Sequence, residues 1–95
     1  MFVVTLKFSE NKSHAGALMA GHKDWIQRGF DQGLFLMVGS LQPNQGGVVF
    51  AHNTSRDTLD AFVQEDPFVA EKVVVAEVME ISPARLDDRL DFLTA

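Results

Sequence analysis

Apolar and polar positions alternate from the start of the chain. Phe2, Val4, Leu6 and Phe8 share one face of "FVVTLKF", and Val3, Thr5 and Lys7 share the other. A period of two predicts a strand. "SENKS" supplies polar turn and cap residues, and from about His14 to Gln32 the period lengthens. Ala15, Leu18, Met19, His22, Ile26, Gly29 and Phe30 recur at spacings of three and four, the stripe of an amphipathic helix. Gly33 stands where a C-cap glycine belongs. "LFLMVGSL" (Leu34 to Leu41) reads as a second strand, with Leu34, Leu36 and Val38 opposed to Phe35, Met37 and Leu41. "QPNQGG" is a hairpin loop and "VVFAH" a third strand.

Thr54, Ser55, Arg56 and Asp57 have the form of a capping box. It opens a helix that turns Leu59, Phe62 and Val63 inward and ends at Pro67. "KVVVAEVMEI" is a fourth strand, with Val73, Val75, Met79 and Ile81 opposed to Val74, Ala76 and Val78. Ser82 and Pro83 read as N-cap and N1 of a short C-terminal helix, ridged by Leu86, Leu90 and Leu93. The order strand, helix, strand, strand, helix, strand predicts an α+β, ferredoxin-like βαββαβ fold: an antiparallel sheet with both helices on one face.

The strands carry a second message. An antiparallel sheet with one solvated face should alternate apolar and polar, yet the second and fourth strands are apolar on both faces. A second subunit covering the face away from the helices is the expected reason, so a homodimer is predicted. The 95 residues make a single domain, 1–95, whose own core is thin.

Composition narrows the partners. A net charge of −5 with eight scattered basic residues argues against nucleic acid, which needs clustered Lys and Arg. There is no cysteine, so thiolate chemistry, disulfides and Cys-based metal sites are excluded. His14 and His22 are two helical turns apart and no HExxH spacing exists, so no metal site is expected. "MFVVTLKF" lacks the flank and length of a signal peptide, and no apolar run reaches the length of a membrane span. A cytoplasmic protein is the expectation.

The candidate chemistry centres on "EDPFV", where Asp66 stands among apolar neighbours, and on His22, inside the apolar stripe of the first helix. A buried imidazole needs a polar partner. A core histidine bonded to any nearby group meets that need. So does a carboxylate that fixes its tautomer beside a cavity, which would make it a general acid–base, and Asp66 is the candidate. Asp66-Pro67 also suits N-cap and N1 of a helical turn, and the two roles are compatible. Gly39, inside a strand pattern, marks either a bulge or the close approach of a ligand. Gly46-Gly47 fits turn geometry better than phosphate binding, since no helix follows directly. Ser40 has no nucleophile-elbow context. Trp25 and the phenylalanines read as core or interface residues.

Taken in order, "GHKDWIQRGFDQGLFLMVGSL" and "EDPFV" resemble the YciI-like (YCII-related) family of small bacterial proteins, over nearly all of the chain. The helix-one histidine, the strand glycine and the Asp-Pro-Phe-Val run carry the likeness. Many members have proline after the strand glycine, where this chain has Ser40. The resemblance implies a ferredoxin-like subunit that dimerises as an α+β barrel. It also implies a His–Asp catalytic pair, here His22 and Asp66, and relatives among dehydrochlorinases, lyases and isomerases of small cyclic products of aromatic breakdown.

The expected function is cofactor-free proton transfer on a small cyclic or phenolic metabolite. In that scheme His22 moves the proton and Asp66 orients it, while Gly39, Ser40 and Phe68 bind substrate. The alternative is a non-catalytic dimeric module that binds a small molecule or regulates a partner.

Overall fold

The computed structural model describes residues 1–93. It contains strands β1 (Phe2–Phe8), β2 (Phe35–Leu41), β3 (Gly46–Ala51) and β4 (Val74–Glu80), and helices α1 (Ala15–Asp31), α2 (Arg56–Val63) and α3 (Pro67–Ala70), with 3-10 turns at Lys12–His14 and Asp88–Leu93. The sheet order is β2-β3-β1-β4 and every pairing is antiparallel. The fold is ferredoxin-like α+β, as the periodicity predicts.

Core packing follows from the alternation. Phe2, Val4 and Leu6 of β1, Val49 and Ala51 of β3 and Val74 of β4 form one buried cluster with Trp25, Leu59, Phe62, Val63 and Phe68 from the helical layer. Trp25, fully buried, fixes α1 against α2 by donating its Nε1–H to the Phe62 carbonyl at 2.8 Å. Gly29 lets α1 approach β2, for a Cβ there would overlap the Phe35 ring. The end of α1 is a Schellman motif: Leu34 N–H bonds Gly29 O at 2.9 Å and Gly33 N–H bonds Phe30 O at 3.0 Å, with Gly33 at φ +73°, a conformation that glycine adopts without strain.

Four details differ from the sequence reading. The cap of α2 is Ser55 rather than Thr54: its Oγ accepts from Thr58 N–H at 3.1 Å, so the capping pattern starts one residue later and Asp57 is not its acidic partner. Pro67 does not end α2, which stops at Val63, but starts α3. The bulge in β2 is not at Gly39, which pairs regularly with Val48, but between Phe35 and Met37. The extra residue switches the alternation, so Phe35 and Val38, expected on opposite faces, both pack with the core. Finally, Ser82-Pro83 opens no helix. Ile81 still exchanges backbone bonds with Met1, holding the chain extended. The terminal turn begins later, where Asp87 Oδ1 accepts the Arg89 N–H at 3.0 Å; of the expected ridge, Leu93 is buried and Leu90 exposed.

The sheet face away from the helices carries a run of apolar side chains beside Thr5, Lys7 and Glu77. Val75, Met79 and Met37 are 60%, 41% and 42% exposed on it, with Val3, Val48 and Phe50 half-buried alongside. Among the described residues no helix is long and apolar enough to cross a membrane.

Candidate functional site

Asp66 reaches its position through local backbone chemistry. It is the N-cap of α3, with extended φ/ψ of −67° and 120°, and Pro67 follows at N1. Its Oδ1 accepts the Phe68 N–H at 3.0 Å. The same oxygen accepts a hydrogen bond from His22 Nδ1–H, 2.8 Å away across a sequence separation of 44 residues. The capping role and the histidine contact, compatible in the sequence reading, are both present. Asp66 is fully buried, which is costly for a carboxylate unless donors surround it. Two N–H groups converge on Oδ1, but Oδ2 is buried without a hydrogen-bond partner among the described residues.

His22 is also held by ring contacts. Its ring stacks on Phe68, with centroids 3.9 Å apart and planes 2° from parallel, and Trp25 lies beyond at 6.0 Å. The side chain is 14% exposed. With Nδ1 committed to Asp66, Nε2 makes no hydrogen bond to another described residue. A ring fixed at one nitrogen and one face, with its second nitrogen uncommitted, has the arrangement that a general base needs.

The room for a ligand lies beside this ring. A cavity of about 340 Å³ is bounded by the helix face of the sheet and by α1, and His22, Phe68, Gly39 and Ser40 all line it. Most of the wall is apolar, from Leu6 and Phe8 on β1, Ile26 on α1 and Val38, Val49 and Val74 on the sheet. Asp66 does not line it and stands behind His22. Gly39 is not in the left-handed region, and a Cβ there would make only an ordinary contact with Val48 at 3.9 Å, so neither backbone nor space requires glycine.

Two lining features escaped the sequence reading. Gly46 and Gly47, assigned there to turn geometry, begin β3 and form part of the cavity wall. Gly46 has φ +128°, and a Cβ would overlap the Leu6 carbonyl. Gly47 pairs with Leu6, a core-facing residue. A Cβ at 47 would meet only Gly39 O, at 3.4 Å, so the missing side chain leaves open space. Lys23, next to His22 on α1, also lines the cavity; adjacency to a candidate histidine was its only signal. Among the described residues, no group of three or more His, Cys, Asp or Glu side chains could hold a metal ion.

Among solved structures, the chain is similar to 5-chloro-2-hydroxyhydroquinone dehydrochlorinase (TftG) from Burkholderia phenoliruptrix AC1100, determined in complex with 2,5-dihydroxybenzoquinone. The TM-score is 0.68 at 14% identity, covering 86% of this chain and 94% of that one. At that identity the match bears on the fold. No curated protein matches. The model of the YCII-related domain matches residues 1–83, so the chain belongs to the YCII-related family.

Proposed function

We propose that the protein is a small enzyme of the lyase or isomerase type, working by general acid–base proton transfer on a small cyclic or phenolic metabolite without a cofactor. The observation that carries this reading is the 2.8 Å contact between His22 Nδ1 and Asp66 Oδ1 at the wall of a largely apolar cavity of about 340 Å³. Such a volume lies near the lower limit of small-molecule sites and suits a single ring. The solved neighbour is a dehydrochlorinase bound to a dihydroxybenzoquinone, a ligand of that size class.

In the proposed mechanism Asp66 keeps the proton on Nδ1, so the lone pair of Nε2 faces the ligand. Nε2 takes a proton from a ring hydroxyl, or from a carbon next to a carbonyl. The electron pair left behind enters the ring π-system, and in an elimination the leaving group departs with its own pair. The imidazolium is stabilised by the carboxylate until the proton is returned to another ring atom or to water. Phe68 holds the imidazole plane, and Gly39 and Ser40 border the ligand. General acid–base assistance of this kind contributes about 10²–10⁴ in rate.

The unit of function in this reading is a homodimer joined through the outer face of the sheet, which supplies the cover that exposed Val75, Met79, Met37 and Ile81 require.

The test is turnover and binding of cyclic hydroxy-ketones, 2,5-dihydroxybenzoquinone among them, by wild type, His22→Ala and Asp66→Asn. The enzyme reading expects turnover that both variants lose while ligand still binds. Binding by wild type with no turnover of any compound would instead support the non-catalytic binding module.

A further inference from the structure

The charge of the cavity wall bears on which rings it accepts. None of its lining residues is Asp or Glu, and its polar side chains are His22, Lys23 and Ser40. Lys23 makes no ion pair with any described residue. The neighbouring acid on the helix, Asp24, is directed to Arg28 at 3.8 Å, and Arg28 also binds Glu65 at 2.9 Å. The chain as a whole carries a net charge of −5, so an anion meets a repulsive field everywhere except beside an uncompensated cation. Lys23 is such a cation, and it borders the site. A second ammonium, that of Lys12, rests 4.6 Å from the centroid of the Phe8 ring, itself part of the same wall.

Taking the cavity as the ligand site proposed above, we infer that its ligand is an anionic monocycle, a ring carboxylate or an acidic enol, whose negative group meets Lys23 at the rim while the ring lies over the side-chain-free floor at Gly47. The apolar wall excludes water from the ring. Lys23 is exposed, and the four-carbon stem of a lysine can lie along apolar surface while its charge remains hydrated. Such a contact discriminates by charge without a desolvated ion pair, and salt weakens it.

The test compares benzoate with benzamide, a pair alike in size and differing in charge, by NMR titration of the Ile26 and Val38 methyl groups. Wild type should bind benzoate about 1.5- to fivefold more tightly, the span of an exposed ionic contact, and 0.5 M NaCl should narrow the gap. Lys23→Met should bring the ratio to about one, with benzamide affinity unchanged, whereas His22→Ala should retain the preference. Equal binding of both compounds at these methyls in wild type would overturn the anion assignment and leave the pocket standing, with Lys23 contributing its stem alone. If neither compound perturbs these methyls, the anion assignment and the pocket reading both fall.

Discussion

At the residue scale, Asp66 combines two duties that substitutions can separate. Asparagine is as good an N-cap as aspartate, so Asp66→Asn keeps the bond to Phe68 N–H and removes the charge behind His22. It also puts a neutral amide where Oδ2 lies buried without a partner among the described residues, and an amide is less costly to bury than a carboxylate. Asp66→Asn should therefore unfold in urea within about 1 kcal/mol of wild type, while its turnover falls by about 10²-fold or more. Asp66→Ala loses the cap as well and should be less stable by about 0.5–2 kcal/mol. A purely structural pair predicts instead a large stability loss for the asparagine variant as well, because His22 would lose its charged partner inside the fold. Gly47 offers a separate check: Gly47→Leu should weaken binding of a ring ligand at least tenfold, measured by methyl titration, because the added side chain occupies the cavity floor.

Both halves of the His22–Asp66 pair could be named from sequence for the same reason. Each is a polar residue in an apolar setting, and a buried polar group needs a partner. The wall could not be read in this way. Lys23 is a charged residue on an exposed helix stretch, indistinguishable in sequence from Lys7. Gly46 and Gly47 obey hairpin grammar, and nothing local reveals that a helix passes over them at a distance.

At the element scale, α1 is the part that the site depends on, since it carries His22, Lys23 and Ile26 as well as the Trp25 anchor. Its approach to β2 requires Gly29. Gly29→Ala adds helix propensity, worth about 1 kcal/mol, but drives a methyl group into the Phe35 ring, which Trp25 and Phe62 back at centroid distances of 5.1 and 5.7 Å. Overpacking of this kind costs about 1–3 kcal/mol, so the variant should show a lower urea midpoint despite the better helix former. The elements themselves were legible because their periods are strong: two in β1, and three-to-four in α1, closed by Gly33. The four misreadings share a cause. At the Ser55 cap, the Pro67 start, the β2 bulge and the Asp87 turn, more than one local arrangement was open to the sequence, and long-range packing selected among them. The Phe35–Met37 bulge is the sharpest case. It leaves no sequence mark, yet it decides which residues of β2 face the helices.

At the scale of the whole molecule, the sheet divides the chain into a helix-covered side that holds the cavity and an open side rich in Val and Met. Exposed side chains of this size on one face are what a partner would bury. Val75, 60% exposed, pairs with Lys7 of the central strand β1. Val75→Lys would set like charges directly opposite on one face and charge the proposed interface. Wild type should sediment as a dimer at micromolar concentration and Val75→Lys as a monomer, whereas a monomeric wild type would remove the homodimer from the account.

The central claim is that the imidazole fixed by Asp66 moves protons on a bound ring, and exchange of substrate C–H for deuterium in D2O reads that step directly. With 2,5-dihydroxybenzoquinone and related cyclic hydroxy-ketones, wild type should accelerate exchange at ring carbons beside a carbonyl. Asp66→Asn should slow it by about two orders of magnitude, and His22→Ala should leave only the rate in buffer. Exchange by the His22→Ala protein as fast as by wild type, or ligand held in the cavity with no acceleration by wild type, would contradict the account.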